Sequence, residues 1–344
     1  MRESAVSIWG WGYSMTLFGA ICGLSFAVSA ADSFSERERC LLDALAKAEG
    51  STPVARLREQ CLLQSQPSQM VEAVQPILRQ DDESLIAQRV EDEHRTQDDP
   101  FVITPHKRNY VMFASYNASP NSRPYAVTDE DFSNTEIKFQ LSFKVPVVDD
   151  LFGDNGDLYV AYTHLAFWQA YNQKFSSPFR ETNYEPEVFL LFDNDWELFG
   201  WKNPKIRLGM VHQSNGRSEP LSRSWNRLFA QFIFEKDNLF LGVKPWYRIP
   251  EAEENDNNPD ILDYMGYGEL QGIYKNGEHS YSFMLRNNLN WDENRGAIQL
   301  DWIFPLHRRF HGYLQYFNGY GESMVDYNAS SNRLSFGVAL TDWL

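Results

Sequence analysis

Strict alternation of apolar and polar side chains, repeated along most of the chain, limits its fold more than any other feature. In IKFQLSFKV, Ile137, Phe139, Leu141, Phe143 and Val145 alternate with Lys138, Gln140, Ser142 and Lys144. Successive side chains of a strand point to opposite faces, so this ribbon is apolar on one side and wet on the other. A single such ribbon suits any half-buried sheet. Comparable segments recur near 108–117, 135–147, 156–171, 184–195, 204–215, 225–236, 238–249, 262–275, 279–292, 296–305, 308–321 and 331–344. That count and rhythm exclude a soluble sandwich. They predict an all-β fold, a twelve-stranded antiparallel transmembrane barrel in which every backbone group is paired because the sheet closes on itself.

Turn spacing gives the barrel two different ends. Tight turns are expected after even-numbered strands, at Glu235-Lys236-Asp237-Asn238, Lys275-Asn276-Gly277-Glu278 and Pro305-Leu306-His307-Arg308, and longer loops after odd-numbered ones. In outer-membrane barrels the short turns face the periplasm, so the Asn215–Trp225 loop belongs outside. The last segment, RLSFGVALTDWL, places Leu334, Phe336, Val338, Leu340 and Leu344 on one face and resembles the closing strand of such barrels.

Composition agrees. A mean hydropathy of −0.48 is too polar for a bundle of membrane helices. One uncharged run exists, Ser4 to Ala31, and its end, MTLFGAICGLSFAVSA, reads as a secretory signal over residues 1–30. Residues 31–105 are polar and helix-leaning, a short N-terminal extension before a barrel domain over 106–344. Export to an oxidising compartment makes a Cys40–Cys61 disulfide the expected use of the remaining cysteines. A net charge of −16 without a basic cluster excludes a nucleic-acid partner.

One polar stretch interrupts the apolar face. In KIRLGMVHQSNG, Ile206, Leu208, Met210, His212 and Ser214 share a side, and on the next strand Asn226 shares its side with Leu228, Ala230, Phe232 and Phe234. His212, Ser214 and Asn226 therefore meet on the lipid-facing wall, where polar side chains are costly unless they serve one another or a substrate. Histidine is suited to take a serine proton near neutral pH, and an asparagine oxygen can fix the imidazole tautomer. Acyl-ester hydrolysis is the chemistry expected of the three.

At these residues the sequence closely resembles the outer-membrane phospholipase A family of Gram-negative bacteria. The likeness runs through HQSNGR and SRSWNR (His212–Arg217, Ser222–Arg227), SSPFRETNYEP, VKPWYR, NPDILDYMGYGEL and YFNGYGESMVDYN. It implies phospholipase A1, A2 and lysophospholipase activity on membrane phospholipids, dependence on Ca2+, and activation by formation of a homodimer in the outer membrane, with the site toward the extracellular leaflet. It makes Ser214 the nucleophile, His212 the base and Asn226 the orienting residue. It implies calcium ligands at a dimer interface, namely the Ser222 hydroxyl, the Arg217 carbonyl and Ser176 from the partner, with the Ser214 backbone N–H helping to hold the oxyanion. Gln213 and Glu219 replace acidic residues that some members carry, Glu219 keeping the charge, and the loop around Asp256 and Asn257 differs in length, so a second calcium site is not carried over to it. His164 shares parity with Val160, Tyr162, Ala166 and Trp168 and is a candidate either for a polar contact between the two copies or for an anchor at headgroup depth. A passive barrel would leave the trio without a role, with Lys138, Gln140, Lys144, Arg286 and Asp301 filling the lumen. A barrel protease would carry its catalytic groups over the mouth instead.

Overall fold

The computed structural model describes residues 86, 89, 90, 93, 95, 103–125, 132–174, 178–307 and 310–341; the signal segment, the Cys40–Cys61 pair and Ser176 lie outside them. The alternating segments form strands β1 (Asn109–Asn117), β2 (Thr135–Val148), β3 (Asp157–Trp168), β4 (Phe179–Leu198), β5 (Trp201–Ser214) and β6 (Ser224–Lys236). They continue through β7 (Leu239–Ile249), β8 (Gly268–Asn276), β9 (His279–Asn287), β10 (Gly296–His307), β11 (Phe310–Tyr320) and β12 (Ser330–Thr341). Each pairs antiparallel with its neighbours, and β12 pairs with β1, so the sheet closes as a twelve-stranded barrel. Thr104–Pro105 adds a two-residue bridge to β2.

Parity runs as the alternation requires. On β12, Leu334, Phe336 and Leu340 are exposed while Arg333, Ser335 and Ala339 are buried. Three turns keep to the expected rhythm, while β2 leads into an eight-residue connection. Two-residue connections follow β4, β6 and β8, and in the first of these Phe199 and Gly200 both adopt positive φ, 53° and 78°, the conformation that matches a twisted hairpin. Near this end Tyr281 and Trp302 stack at 6.2 Å, part of an aromatic group with Tyr274, His279 and Phe304.

Two local expectations need correction. The turn expected at Pro305–Arg308 starts later, because β10 continues to His307 through a register shift after Pro305. Proline lacks an N–H, and an interrupted ladder is where a strand tolerates it. The strand expected from residue 262 begins only at Gly268, after a helical turn, Leu262–Met265. Ile261 and Met265 pack in one buried cluster with Trp246, and spacing of i and i+4 brings two side chains together in a helix, not a strand.

Charged side chains fill the lumen and pair there. Arg180 bonds Glu136 at 2.6 Å and Asp326 at 2.7 Å, while Arg333 bonds Glu136 at 3.0 Å and Glu322 at 2.8 Å. Lys138 reaches Glu322 at 2.9 Å, and Arg108 reaches Asp301 at 3.2 Å. Glu322 and Asp326 come from the loop before β12, which therefore folds into the bore. Burial opposes ionisation of Glu322, yet Arg333 and Lys138 hold its carboxyl down at about 2. On the segment before β1, burial drives the His106 imidazole down to about 3 despite Glu187 at 3.0 Å.

The compact unit containing the barrel begins at Asp82, ahead of the expected boundary at 106. Helical positions before the barrel contribute to it: Ile86 packs with Ile233 and Phe240, and Glu93 pairs with Lys144 at 2.7 Å. Burial would raise the Glu93 carboxyl, but Lys144 and Arg89 bring it below the ordinary range.

Candidate active site

Antiparallel pairing of β5 with β6 sets His212 opposite Asn226, Ser214 opposite Ser224 and Met210 opposite Leu228. Leu208, Met210 and Leu228 are exposed on the outer wall, and strand parity carries His212, Ser214 and Asn226 to the same face. The partner face is filled: Val211, Trp225 and Phe229 are buried, and the Arg227 guanidinium lies 4.0 Å from the Trp225 ring centroid. Gln213 also points inward and accepts from Trp225 Nε1 at 2.9 Å and Arg227 Nη2 at 3.2 Å.

His212 Nδ1 lies 2.8 Å from Asn226 Oδ1. An amide oxygen can only accept, so Nδ1 carries the hydrogen and Nε2 keeps its lone pair, the form a general base needs. Asn226 Nδ2 in turn donates to Glu251 Oε1 at 3.0 Å. Ser214 stands two positions along β5 from His212, in register with Tyr184 of β4. Tyr184 pairs in turn with His164 of β3, so His164, Tyr184 and Ser214 form one row around the outer wall. The His164 ring stacks with Phe139 at 5.9 Å and meets Tyr184 edge-on at 5.4 Å.

The loop joining β5 to β6 is organised around Asn215, which is buried. Its Oδ1 accepts from the backbone N–H of Arg217 at 3.3 Å and of Arg223 at 3.0 Å, and its Nδ2 donates to Leu221 O at 2.8 Å. Arg217 Nη2 anchors the loop to β4 through the carbonyls of Phe179 at 3.1 Å and Arg180 at 2.8 Å. Ser222 Oγ accepts from Asn257 Nδ2 at 2.6 Å, and Ser224 N–H donates to Asn258 Oδ1 at 3.0 Å, so the next long loop braces this one. Beside them Tyr327 donates to Asp260 at 2.6 Å; burial and that carboxylate push its phenol upward.

Among the described residues no group of three or more His, Cys, Asp or Glu side chains could hold a metal. Ser222 and Arg217, in one braced loop, offer neutral oxygens, a hydroxyl and a carbonyl. Such donors fit a hard cation that retains part of its water shell, and fit zinc or copper poorly.

Glu251, Asn215 and Tyr184 escaped the sequence reading. A signal for Glu251 was present: it shares parity with exposed Tyr247 and with Ile249, which is paired with Asn226. Asn215-Gly216 has the chemistry of an asparagine-organised turn, which marks a bend without revealing that the whole loop hangs from one amide.

The sequence model of a family described as Phospholipase A1 matches residues 86–340. Phospholipase A1 of Klebsiella pneumoniae is 39% identical over 261 residues, covering 75% of this chain and 88% of the relative. For phospholipase A1 of Escherichia coli (strain K12) the identity is again 39% over 261 residues, with 75% and 87% covered. Among solved structures, outer membrane phospholipase A from Escherichia coli superposes with a TM-score of 0.67 at 38% identity, covering 72% of this chain and 95% of that one. The Salmonella typhi outer membrane phospholipase, a dimer with bound calcium, gives 0.68 at 38% identity, with 75% and 98% covered.

Proposed function

The chain belongs to the phospholipase A1 family and is an integral outer-membrane phospholipase, and from that premise we propose that it cleaves acyl esters with a Ser214–His212–Asn226 triad on its lipid-facing wall. The observation that carries this reading is the 2.8 Å contact between His212 Nδ1 and Asn226 Oδ1 on the face that bears exposed Leu208, Met210 and Leu228. A soluble hydrolase would keep such a pair in a water-filled cleft; here the surrounding solvent is the substrate.

In the proposed reaction His212 Nε2 takes the Ser214 proton as Oγ attacks the ester carbonyl carbon. The tetrahedral intermediate collapses, the C–O bond to the lysolipid breaks, and His212 returns the proton to the departing oxygen. Water then attacks the acyl-serine, giving its proton to His212, and the fatty acid leaves as Ser214 regains a hydrogen. Asn226 holds the imidazole without adding a formal charge.

Calcium is the proposed cofactor, held by the Ser222 hydroxyl, the Arg217 carbonyl and Ser176 of a second copy, with waters completing the shell. When bound, it supplies positive charge where the carbonyl oxygen becomes negative. Ligands shared between two copies would make activity depend on a homodimer, which restrains an enzyme that sits among its own substrate. The long-loop end, which carries the site, faces the extracellular leaflet in this reading. Both ester positions and lysophospholipids are the expected substrates, as the family resemblance implies.

The test is calcium-dependent release of fatty acid from phospholipid vesicles by the purified, folded protein. Ser214→Ala is expected to lower the rate by at least about 10³-fold. Ser222→Ala is expected to raise the calcium concentration needed for half-maximal rate. Wild-type rates in Ser214→Ala would overturn the mechanism.

A further inference from the structure

Asn226 is an ambiguous orienting group, because its amide has an accepting end and a donating end of nearly the same shape. Turned one way, its oxygen accepts from His212 Nδ1–H and leaves Nε2 free to act as a base. Turned the other way, its NH2 donates to Nδ1, the hydrogen moves to Nε2, and the imidazole can no longer take a proton from serine. Nothing in a Ser-His-Asn set itself chooses between the two.

Glu251 makes the choice. It follows β7 on the outward parity and accepts from Asn226 Nδ2 at 3.0 Å. An ionised carboxylate offers only acceptors, so the NH2 end must face Glu251 and the oxygen must face His212. The cations of neighbouring elements are engaged elsewhere. Arg217 bonds the carbonyls of Phe179 and Arg180, Arg223 bonds those of Pro220 and Ser222, Arg227 lies inside over Trp225, and Arg248 bonds Asp256. Tyr184 is the titratable group on the β4 side. Glu251 thus delivers its charge to the amide behind the imidazole.

We propose that Glu251 is a positioning residue that fixes the orientation of Asn226, and through it the tautomer and basicity of His212. The proposal rests on the triad reading above.

Three substitutions test it, each with kcat, KM and the pH–rate profile measured on phospholipid with saturating calcium, and with folded protein quantified by heat-dependent gel mobility. Glu251→Ala frees the amide to turn, and kcat is expected to fall roughly 10- to 100-fold with KM unchanged. Glu251→Gln can either accept from Asn226 or donate to it, so the orientation is only partly held and kcat should fall, though by less than in Glu251→Ala, while loss of the negative charge destabilises the imidazolium and moves the acid limb of the profile down by about half a pH unit. Asn226→Asp sets two carboxylates face to face and should be nearly inactive. Combined with Glu251→Gln, whose NH2 can donate to the introduced carboxylate, it should regain at least about tenfold. Additive effects, or a Glu251→Ala enzyme with wild-type kcat, overturn the proposal. Ser214→Ala is run in parallel: if it is inactive while Glu251→Ala matches wild type, the role of Glu251 fails alone, and if it is active the triad reading fails.

Discussion

Gly216 sits at φ 61°, and a Cβ there would fall 2.9 Å from the Tyr184 ring. Gly216→Ala is therefore strained in its backbone and crowded in its side chain, and should cost about 1–2 kcal/mol in a denaturant titration. The same variant should lose activity beyond its loss of folded protein, because Asn215, next in chain, holds the loop that carries Arg217 and Ser222. Wild-type stability would show that the loop can back away from Tyr184. At this scale the sequence was legible where parity governs: His212, Ser214 and Asn226 could be placed on one face because each lies on a strand. Glu251 and Asn257 lie in the loop after β7, whose path is set by contacts such as Arg248 with Asp256 at 2.6 Å and not by periodicity. Ser176 entered only through family resemblance, since a serine in a polar loop has no local signature of a ligand.

Strands were the most readable elements, because a period of two with one lipid-facing side leaves little freedom of register. Leu208 lies midway along β5 and is 44% exposed on the outer wall, so Leu208→Arg should place a guanidinium in hydrocarbon and destabilise the folded barrel by roughly 2–4 kcal/mol in lipid. Reversible unfolding in vesicles would measure it, and a change within experimental error would show that this face is not bathed in lipid. Arg207, one residue away, already points inward over the Phe189 ring at 4.0 Å, which shows how completely parity separates the two solvents. Elements were misread where a tertiary contact overrode local pattern. Leu262–Met265 turns helical because Ile261 and Met265 must enter the same buried cluster, and Pro305 reads as a breaker although a register shift lets β10 pass through it.

For the whole molecule, the charged lumen couples the fold to pH. Glu322 titrates at about 2 in the fold against an ordinary value near 4.3, so it stabilises the barrel above that value and loses this contribution as pH falls toward 2. His106 acts in the same direction. Below about 6.5 the unfolded chain takes up a proton that the buried imidazole refuses until about 3. The midpoint of urea unfolding should therefore fall as pH is lowered from 7 to 3, and Glu322→Gln should flatten the part of the profile below about pH 4.5. A profile that rises on acidification would overturn this. Lumen charges such as Lys138 and Asp301 could be assigned to the inner face from sequence, whereas the carboxylates that pair with Lys138 and Arg180 could not, because Glu322 and Asp326 arrive from a loop that periodicity leaves undirected. That loop has a topological consequence. Its two carboxylates clasp staves on the far side of the seam, Lys138 of β2 and Arg180 of β4, and Glu322 also grips Arg333 of the last stave. Stitched to both sides of the seam, that loop occupies part of the bore, while the proposed chemistry lies on the opposite surface of the same sheet, so what plugs the inside leaves the outside free.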